Sequence, residues 1–166
     1  MPPLRVLEVL EATEGGTRTH FRDLVLGLPS ARFGVEVAVS LGRDPGFATD
    51  LERFRQRGIA VHVGPMVRAI NPLADARSLA WLRGLIRAGD YQIVHGHSSK
   101  AGFLARLAGL LEGVPVRLYT PNAFHFQNPQ TSRVGRGLSV ALERLAARWG
   151  SGLICVSAGE RAAALA

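Results

Sequence analysis

Strand-like and helix-like patterns alternate strictly along this chain. Six apolar runs of strand length are separated by stretches in which apolar residues recur every three or four positions. The first such stretch contains Phe21, Leu24, Val25 and Leu28. Nearly continuous apolar strands that alternate with helices are typical of a parallel sheet with helices on both faces. We therefore predict a three-layer Rossmann-like α/β fold with about six strands in the order 3-2-1-4-5-6.

Length and composition favour one globular domain over residues 1–166. Hydrophobic residues make up 47% of the chain and charged residues 20%, which is the balance of an ordinary folded protein. Charges interrupt every apolar run well before the ~20 residues that a membrane span needs. The N-terminus enters a strand pattern directly and lacks a signal peptide pattern, so we expect a cytoplasmic protein.

The net charge of +7 comes from nineteen arginines and one lysine, Lys100. The arginines are spread along the chain and aromatic residues make up only 7%, which disfavours nucleic acid as a partner. A basic surface also suits phosphorylated ligands or peripheral contact with the inner face of the plasma membrane. The third helical stretch, with Trp81 and flanking arginines, is either a membrane-facing surface or an ordinary solvated helix face.

Two polar loops should meet at one ligand crevice. In the predicted strand order, strands 1 and 4 are neighbours where the winding reverses, and ligands bind beyond their carboxyl ends. Gly15 and Gly16 follow strand 1, where they form either a plain turn or a loop that offers backbone N–H groups to an anion such as a diphosphate. Residues 97–100, His-Ser-Ser-Lys, follow strand 4. Neither the G-x-G-x-x-G fingerprint nor a P-loop occurs in the chain.

The two histidines of the fourth strand are candidates for a site. His95 and His97 are two residues apart, so their side chains point to the same side of a strand. Together with His20 or His125 they could form a zinc site, but no carboxylate lies nearby in sequence to orient them, and we predict that no metal binds. We expect His95 to pack inside and His97 to line the crevice.

The residues after His97 have structural alternatives. Ser98 or Ser99 could cap the fourth helix. Lys100 would lie against the helix dipole, so it needs a ligand or a carboxylate partner. Residues 120–128 form a polar loop after strand 5, which is either a ligand-contacting loop or a flexible surface hairpin. The last apolar run, residues 152–156, is predicted to be a sixth strand with Cys155 buried in it.

Several of these stretches resemble one family. Residues 15–20, 91–102, 119–124 and 154–157 are similar, in order and spacing, to the N-terminal half of a family 4 (group 1) glycosyltransferase of the GT-B fold. The His-Ser-Ser-Lys-Ala-Gly block is the most specific of them. The resemblance implies transfer of a sugar from a nucleotide-sugar donor to a sugar or lipid-linked acceptor, with retention of configuration and without a metal or other cofactor.

The resemblance also implies roles for individual residues. Backbone groups of Gly15, Gly16 and Thr17 would contact the donor diphosphate. The acceptor side of the cleft would be lined by His20, His97, Ser98, Ser99, Lys100, Asn122 and His125. Asn122 stands where the family often has a histidine that contacts the transferred sugar, and His125 is the unaligned substitute.

The family's donor-binding second domain has no counterpart in these 166 residues. We therefore expect the acceptor-binding half of an enzyme of bacterial cell-surface polysaccharide or glycolipid synthesis, inactive alone. The alternatives are a non-enzymatic subunit of a split glycosyltransferase and an unrelated nucleotide-binding α/β domain.

Overall fold

A computed structural model describes residues 2–165, which form one six-stranded parallel sheet covered by helices. The sheet order is β3-β2-β1-β4-β5-β6, so the predicted order is confirmed. The strands are β1 (Leu4–Leu10), β2 (Phe33–Val39), β3 (Ala60–Val63), β4 (Ile93–His97), β5 (Val116–Thr120) and β6 (Gly152–Leu153).

Six α-helices connect and flank the strands. They are α1 (Gly15–Gly27), α2 (Ala48–Gln56), α3 (Pro72–Gly89), α4 (Ser98–Leu111), α5 (Arg133–Ala147) and α6 (Ala158–Leu165). Single turns of 3-10 helix at Pro45–Phe47 and His125–Gln127 lie in the connections before α2 and α5. Within the described chain, none of these helices is both long enough and apolar enough to cross a membrane.

The central strand β1 holds two apolar cores together. Leu7 and Val9 pack on one face with residues of α3 and α4. Leu10 packs on the opposite face with Phe21 and other residues of α1 and α2. Successive side chains of a strand point to opposite faces, so one buried strand contributes to both layers. This arrangement is the predicted three-layer architecture.

The sixth strand differs from the prediction. Only Gly152 and Leu153 pair with β5, whereas the apolar pattern predicted a strand over residues 152–156. Ile154 and Val156 are exposed, and Cys155 is only partly buried. The prediction of a core cysteine was therefore wrong, because β6 lies at the edge of the sheet and, within the described chain, has a neighbouring strand on one side only.

Close packing between β4 and α4 fixes the position of the fourth helix. A Cβ atom on Gly96 would lie 2.6 Å from the Cα atom of Gly102 and 2.8 Å from the carbonyl oxygen of Ala101. Both neighbouring atoms belong to the backbone, so they cannot rotate away. Glycine at position 96 therefore allows α4 to begin directly after His97.

We predict that Gly96→Ala destabilises the protein by about 2–3 kcal/mol, because the added methyl group overpacks against backbone atoms. Gly84→Ala is the matched control: it lies within α3 with no atom near its Cβ position, and we expect it to be neutral or stabilising by up to about 1 kcal/mol. Urea denaturation of both variants measures the difference. Equal effects would contradict the packing argument.

Candidate functional site

An open crevice of about 620 Å³ lies at the carboxyl ends of the strands. It is formed by the start of α1, the loop after β5 and the segment after β6. Its walls are formed by Gly16, Thr17, His20, Asn122, Ala123, Gln127, Val156, Ser157, Gly159 and Glu160. The structure thus brings together four of the residues predicted from the sequence: Gly16, Thr17, His20 and Asn122.

The N-terminus of α1 faces this crevice without a side-chain cap. Gly15 begins the helix with φ +59°, a conformation that glycine adopts without strain, and no atom lies near the Cβ position of Gly15 or Gly16. The N-cap residue Glu14 makes no capping hydrogen bond, and the first turn contains no acidic residue. The first backbone N–H groups therefore remain available to an anion, and a role of these glycines in diphosphate binding stays a prediction.

A buried carboxylate connects the two histidines of β4. Glu8 on β1 lies opposite His95 in the parallel register. Its Oε2 atom is 2.7 Å from Nε2 of His97 and 3.0 Å from Nδ1 of His95. The Nε2 atom of His95 in turn lies 2.8 Å from the hydroxyl oxygen of Thr120 on β5. All four side chains are buried, so this is one hydrogen-bonded network across three strands.

The network shifts the pKa values of two of its members. Burial alone would raise the pKa of Glu8, but the neighbouring His95 and His97 lower it to about 2. Burial, together with the nearby His95, lowers the pKa of His97 to about 4. The structure therefore favours an ionised Glu8 beside a neutral His97 at pH 7.

Glu8 corrects the expectation that no carboxylate orients the two histidines. The three side chains are the candidate metal-ligand cluster of the described residues. Their N···O separations of 2.7 and 3.0 Å are those of hydrogen bonds, in which one carboxylate oxygen serves both rings. The arrangement therefore works as a structural network by itself, and the absence of a metal requirement stays a prediction.

Some predicted residues lie outside the crevice wall. His97, expected to line it, is fully buried, with its ring centroid 5.9 Å from that of His20. Lys100 instead forms a salt bridge with Asp75 of α3 at 2.6 Å and donates to the carbonyl of Ala69. It thus has the carboxylate partner that its position required. His125 is exposed on the 3-10 turn and does not reach the wall.

The two serines do not cap α4. The N-cap position belongs to His97, and no side chain caps the helix. Ser98 is the first helical residue and has φ +63°, a strained conformation for a residue with a side chain. Ser99 is half-buried in the first turn and does not line the crevice. The capping alternative was therefore wrong for both.

Two buried polar atoms of the crevice wall lack a hydrogen-bond partner. Within residues 2–165, five buried side-chain polar atoms lack one: Oγ1 of Thr13, Nδ1 of His20, Nδ1 of His97, Oγ of Ser98 and Nδ2 of Asn122. Of these five residues, only His20 and Asn122 belong to the crevice wall. Buried polar groups in folded proteins are normally satisfied, so two partnerless atoms in one open crevice indicate a polar ligand site.

Glu160 connects two loops of the crevice and was missed by sequence reasoning. Its buried carboxylate accepts hydrogen bonds from the backbone N–H groups of Ala123 at 2.7 Å and Val156 at 2.8 Å. Asn122 and Ala123 have φ values of +51° and +79°, which are strained for residues that carry a Cβ atom. The bonds to Glu160 hold this strained turn in place.

A signal for the missed residues was present in the sequence. Ser157 and Glu160 follow the sixth apolar run, and the rule that ligands bind beyond strand ends applies to that run as well. Glu8 stands as a lone acid among Val6, Leu7 and Val9 in a buried strand pattern, which indicates a buried partner elsewhere in the chain.

The parallel sheet and its crevice define a Rossmann-like ligand-binding domain. The chain belongs to the glycosyl transferase 4-like domain family, which matches residues 15–166. It is 31% identical over 150 residues to the UDP-Gal:alpha-D-GlcNAc-diphosphoundecaprenol alpha-1,3-galactosyltransferase of Escherichia coli. The resemblance to family 4 glycosyltransferases is therefore confirmed.

Solved structures share the fold at low sequence identity. A Listeria monocytogenes protein described as a UDP-N-acetylglucosamine 2-epimerase superposes with a TM-score of 0.73 at 15% identity over 99% of this chain. MurG of Acinetobacter baumannii superposes with a TM-score of 0.62 at 15% identity over 93% of it. This chain spans 37% of the galactosyltransferase and 42% of each of these two structures.

We predict that acid destabilises the protein through the buried network. The pKa of His97 falls from 6.5 to about 4 on folding, so the unfolded state binds the extra proton and stability is lost as pH falls from 6.5 towards 4. Glu8, lowered from 4.5 to about 2, extends the loss below pH 4.5. Urea denaturation between pH 7.5 and pH 4 should show a decrease of a few kcal/mol.

His97→Gln tests the source of this pH dependence. Glutamine can still donate to Glu8 but does not titrate, so we expect a shallower decrease in stability between pH 6.5 and pH 4. The comparison uses the slope of unfolding free energy against pH, because the substitution also changes stability at neutral pH. An unchanged slope would assign the acid sensitivity to other groups.

Proposed function

We propose that this chain is the acceptor-binding domain of a retaining, nucleotide-sugar-dependent glycosyltransferase. The single observation that carries the proposal is that the crevice wall contains two partnerless buried polar atoms, Nδ1 of His20 and Nδ2 of Asn122. Sugar hydroxyl groups both donate and accept hydrogen bonds, so they suit a set of donors and acceptors of mixed type. Family membership supports this assignment.

The name of the E. coli relative supports an acceptor class. That enzyme is named for transfer from UDP-galactose to a GlcNAc-diphosphoundecaprenol acceptor. We propose that this chain likewise accepts a sugar carried on a polyprenyl diphosphate, as in bacterial cell-surface polysaccharide or glycolipid synthesis. Such acceptors are anchored in a bilayer, so the proposal includes a cytoplasmic location with peripheral contact to the inner face of the plasma membrane.

The donor side of the proposal rests on the start of α1. Gly15, Gly16 and Thr17 present uncapped backbone N–H groups, which suit the diphosphate of a nucleotide-sugar. We propose that the nucleotide pocket, and most of the electrostatic stabilisation of the leaving diphosphate, belong to a second domain. No metal takes part in the proposed reaction, and the chain alone is inactive.

The proposal predicts that a partnerless polar atom serves binding rather than folding. His20→Phe removes the partnerless Nδ1 atom from the crevice wall, so we expect unfolding free energy to stay equal or rise by up to about 1 kcal/mol. Binding of a short-chain polyprenyl diphosphate GlcNAc should weaken by about tenfold, because a hydrogen bond to a sugar is lost. Isothermal titration calorimetry of the protein measures the affinity.

Ser40→Ala is the control for His20→Phe. The Ser40 hydroxyl is also buried, but it donates to the carbonyl of Met66 at 2.7 Å and accepts from the N–H of Gly42 at 3.2 Å. Its removal should cost about 1–2 kcal/mol of stability and leave the affinity unchanged. If His20→Phe destabilises the protein while affinity persists, the crevice assignment fails.

We predict that the 166-residue chain alone neither hydrolyses UDP-galactose nor transfers its sugar. The physical reason is that the uncapped start of α1 offers only part of the electrostatic stabilisation that a departing diphosphate needs. Chromatographic detection of released UDP over several hours measures the activity. UDP release at a rate above buffer alone would refute the assignment of the chemistry to a second domain.

A further inference from the structure

An apolar stripe along helix α5 is exposed to solvent. Val134 is 83% exposed, Leu138 54% and Leu145 41%, and Ala141 between them is exposed as well. These positions are spaced i, i+4, i+7 and i+11, so they form one continuous line along the helix. A helix in a soluble fold normally buries such a line, yet on α5 only Ala146 is fully buried.

The charges of α5 are arranged around this stripe. The helix and the residue after it carry four exposed arginines: Arg133, Arg136, Arg144 and Arg148. Among the ion pairs of residues 2–165, none involves these four guanidinium groups. At about 3.6 residues per turn, Arg133, Arg144 and Arg148 fall on one flank of the stripe.

The acidic residue of α5 faces the opposite way. Glu143 accepts from the hydroxyl of Tyr119 at 2.8 Å and from a guanidinium nitrogen of Arg106 at 3.1 Å. The only carboxylate of the helix is thereby neutralised on its inner side. The outer surface of α5 combines exposed apolar side chains with unneutralised positive charge.

Helix α3, the membrane candidate from the sequence, has a different arrangement. Arg83 and Arg87 both donate to Glu112 on the neighbouring segment, so their charges are already paired. Trp81 is half-buried, and its ring lies against Gly64. Of the two alternatives for α3, these side-chain contacts favour an ordinary solvated helix face.

We propose that the outer face of α5 docks this protein on an anionic lipid bilayer. The stripe of Val134, Leu138, Ala141 and Leu145 would enter the headgroup region, and the arginines would contact lipid phosphates. The choice of a lipid surface rests on charge complementarity, since the apolar line is flanked by cations without carboxylate partners.

The position of α5 relates docking to the crevice. The loop that leads into α5 contributes Asn122 and Gln127 to the crevice wall. Docking through α5 would therefore hold one crevice wall near the bilayer, where a polyprenyl-linked sugar lies. The role of docking in bringing the crevice to its acceptor rests on the proposed function, whereas lipid binding itself does not require enzyme activity.

Co-sedimentation with vesicles tests the docking surface. We expect the protein to bind vesicles containing anionic phosphatidylglycerol more tightly than neutral phosphatidylcholine vesicles, with binding weakened at about 150 mM salt. Leu138→Glu should weaken anionic-vesicle binding about tenfold or more. The double substitution Arg144→Gln and Arg148→Gln should have a similar effect, because it removes charge beside the stripe.

Two matched controls separate α5 from general surface properties. Arg32→Gln with Arg57→Gln removes the same charge from exposed positions elsewhere, and Ile70→Glu changes an exposed apolar residue outside α5. We expect both to bind vesicles as the unmodified protein does. Thermal denaturation should show all variants folded, because every substituted side chain is exposed.

A fluorescent label reports contact directly. In a Cys155→Ser background, a polarity-sensitive dye on Leu138→Cys should shift to the blue when anionic vesicles are added. The same dye on Gln56→Cys, on α2, should not shift. A blue-shifted dye on Leu138→Cys before lipid is added would mean that another part of the protein covers the stripe, and would overturn the proposal.

Other outcomes would also overturn it. If the Arg32 and Arg57 variant lost as much vesicle binding as the Arg144 and Arg148 variant, net charge alone would explain the binding. If the unmodified protein bound neutral and anionic vesicles equally, recognition of anionic lipid would be excluded. Concentration-dependent dimerisation abolished by Leu138→Glu would assign the stripe to a second copy. His20→Phe, which alters the crevice wall and not α5, should retain vesicle binding, so failure of the crevice assignment is distinguishable from failure of docking.

Discussion

The hydrogen bonding of the ionised Glu8 carboxylate is the interaction on which the centre of this structure depends. It receives hydrogen bonds from His95 and His97 across the β1–β4 pair, where the winding of the sheet reverses. A charge buried this deeply destabilises a fold by several kcal/mol unless it is hydrogen-bonded. The bonds to Glu8 therefore strongly favour one register of β1 against β4 and one orientation of the two histidine side chains. Through His95 the network reaches Thr120, and it thus joins the carboxyl ends of three adjacent strands.

The crevice adjoins this network, because the ring of the wall residue His20 lies 5.9 Å from that of His97, and strained and unsatisfied residues surround it. Ser98, Asn122 and Ala123 all have positive φ values, and partnerless polar atoms occur beside them. Such features destabilise a fold and persist only where surrounding contacts hold them, as Glu160 does for the turn at Ala123. Their concentration beyond the strand ends agrees with the place where parallel α/β sheets bind ligands.

Parts of this site could be predicted from sequence, because they follow from chain order. Gly16, Thr17, His20 and Asn122 each follow a strand that ends at the same edge of the sheet, and the structure brings them together. The partners of Lys100 and His97 could not be predicted in this way. Asp75 lies 25 residues before Lys100 and Glu8 lies 89 residues before His97, so only folding makes them neighbours.

The sequence by itself determined the layered α/β fold, because apolar periodicity records which segments are strands and which are helices. The usual winding of parallel sheets then gave the strand order. Tertiary structure alone decided which face of each element is covered. Leu138 and Leu145 have the spacing of any amphipathic helix, yet they face solvent because α5 uses its other side for Ala146 and Glu143. Periodicity reveals an apolar line along a helix, but what packs against that line depends on contacts distant in sequence.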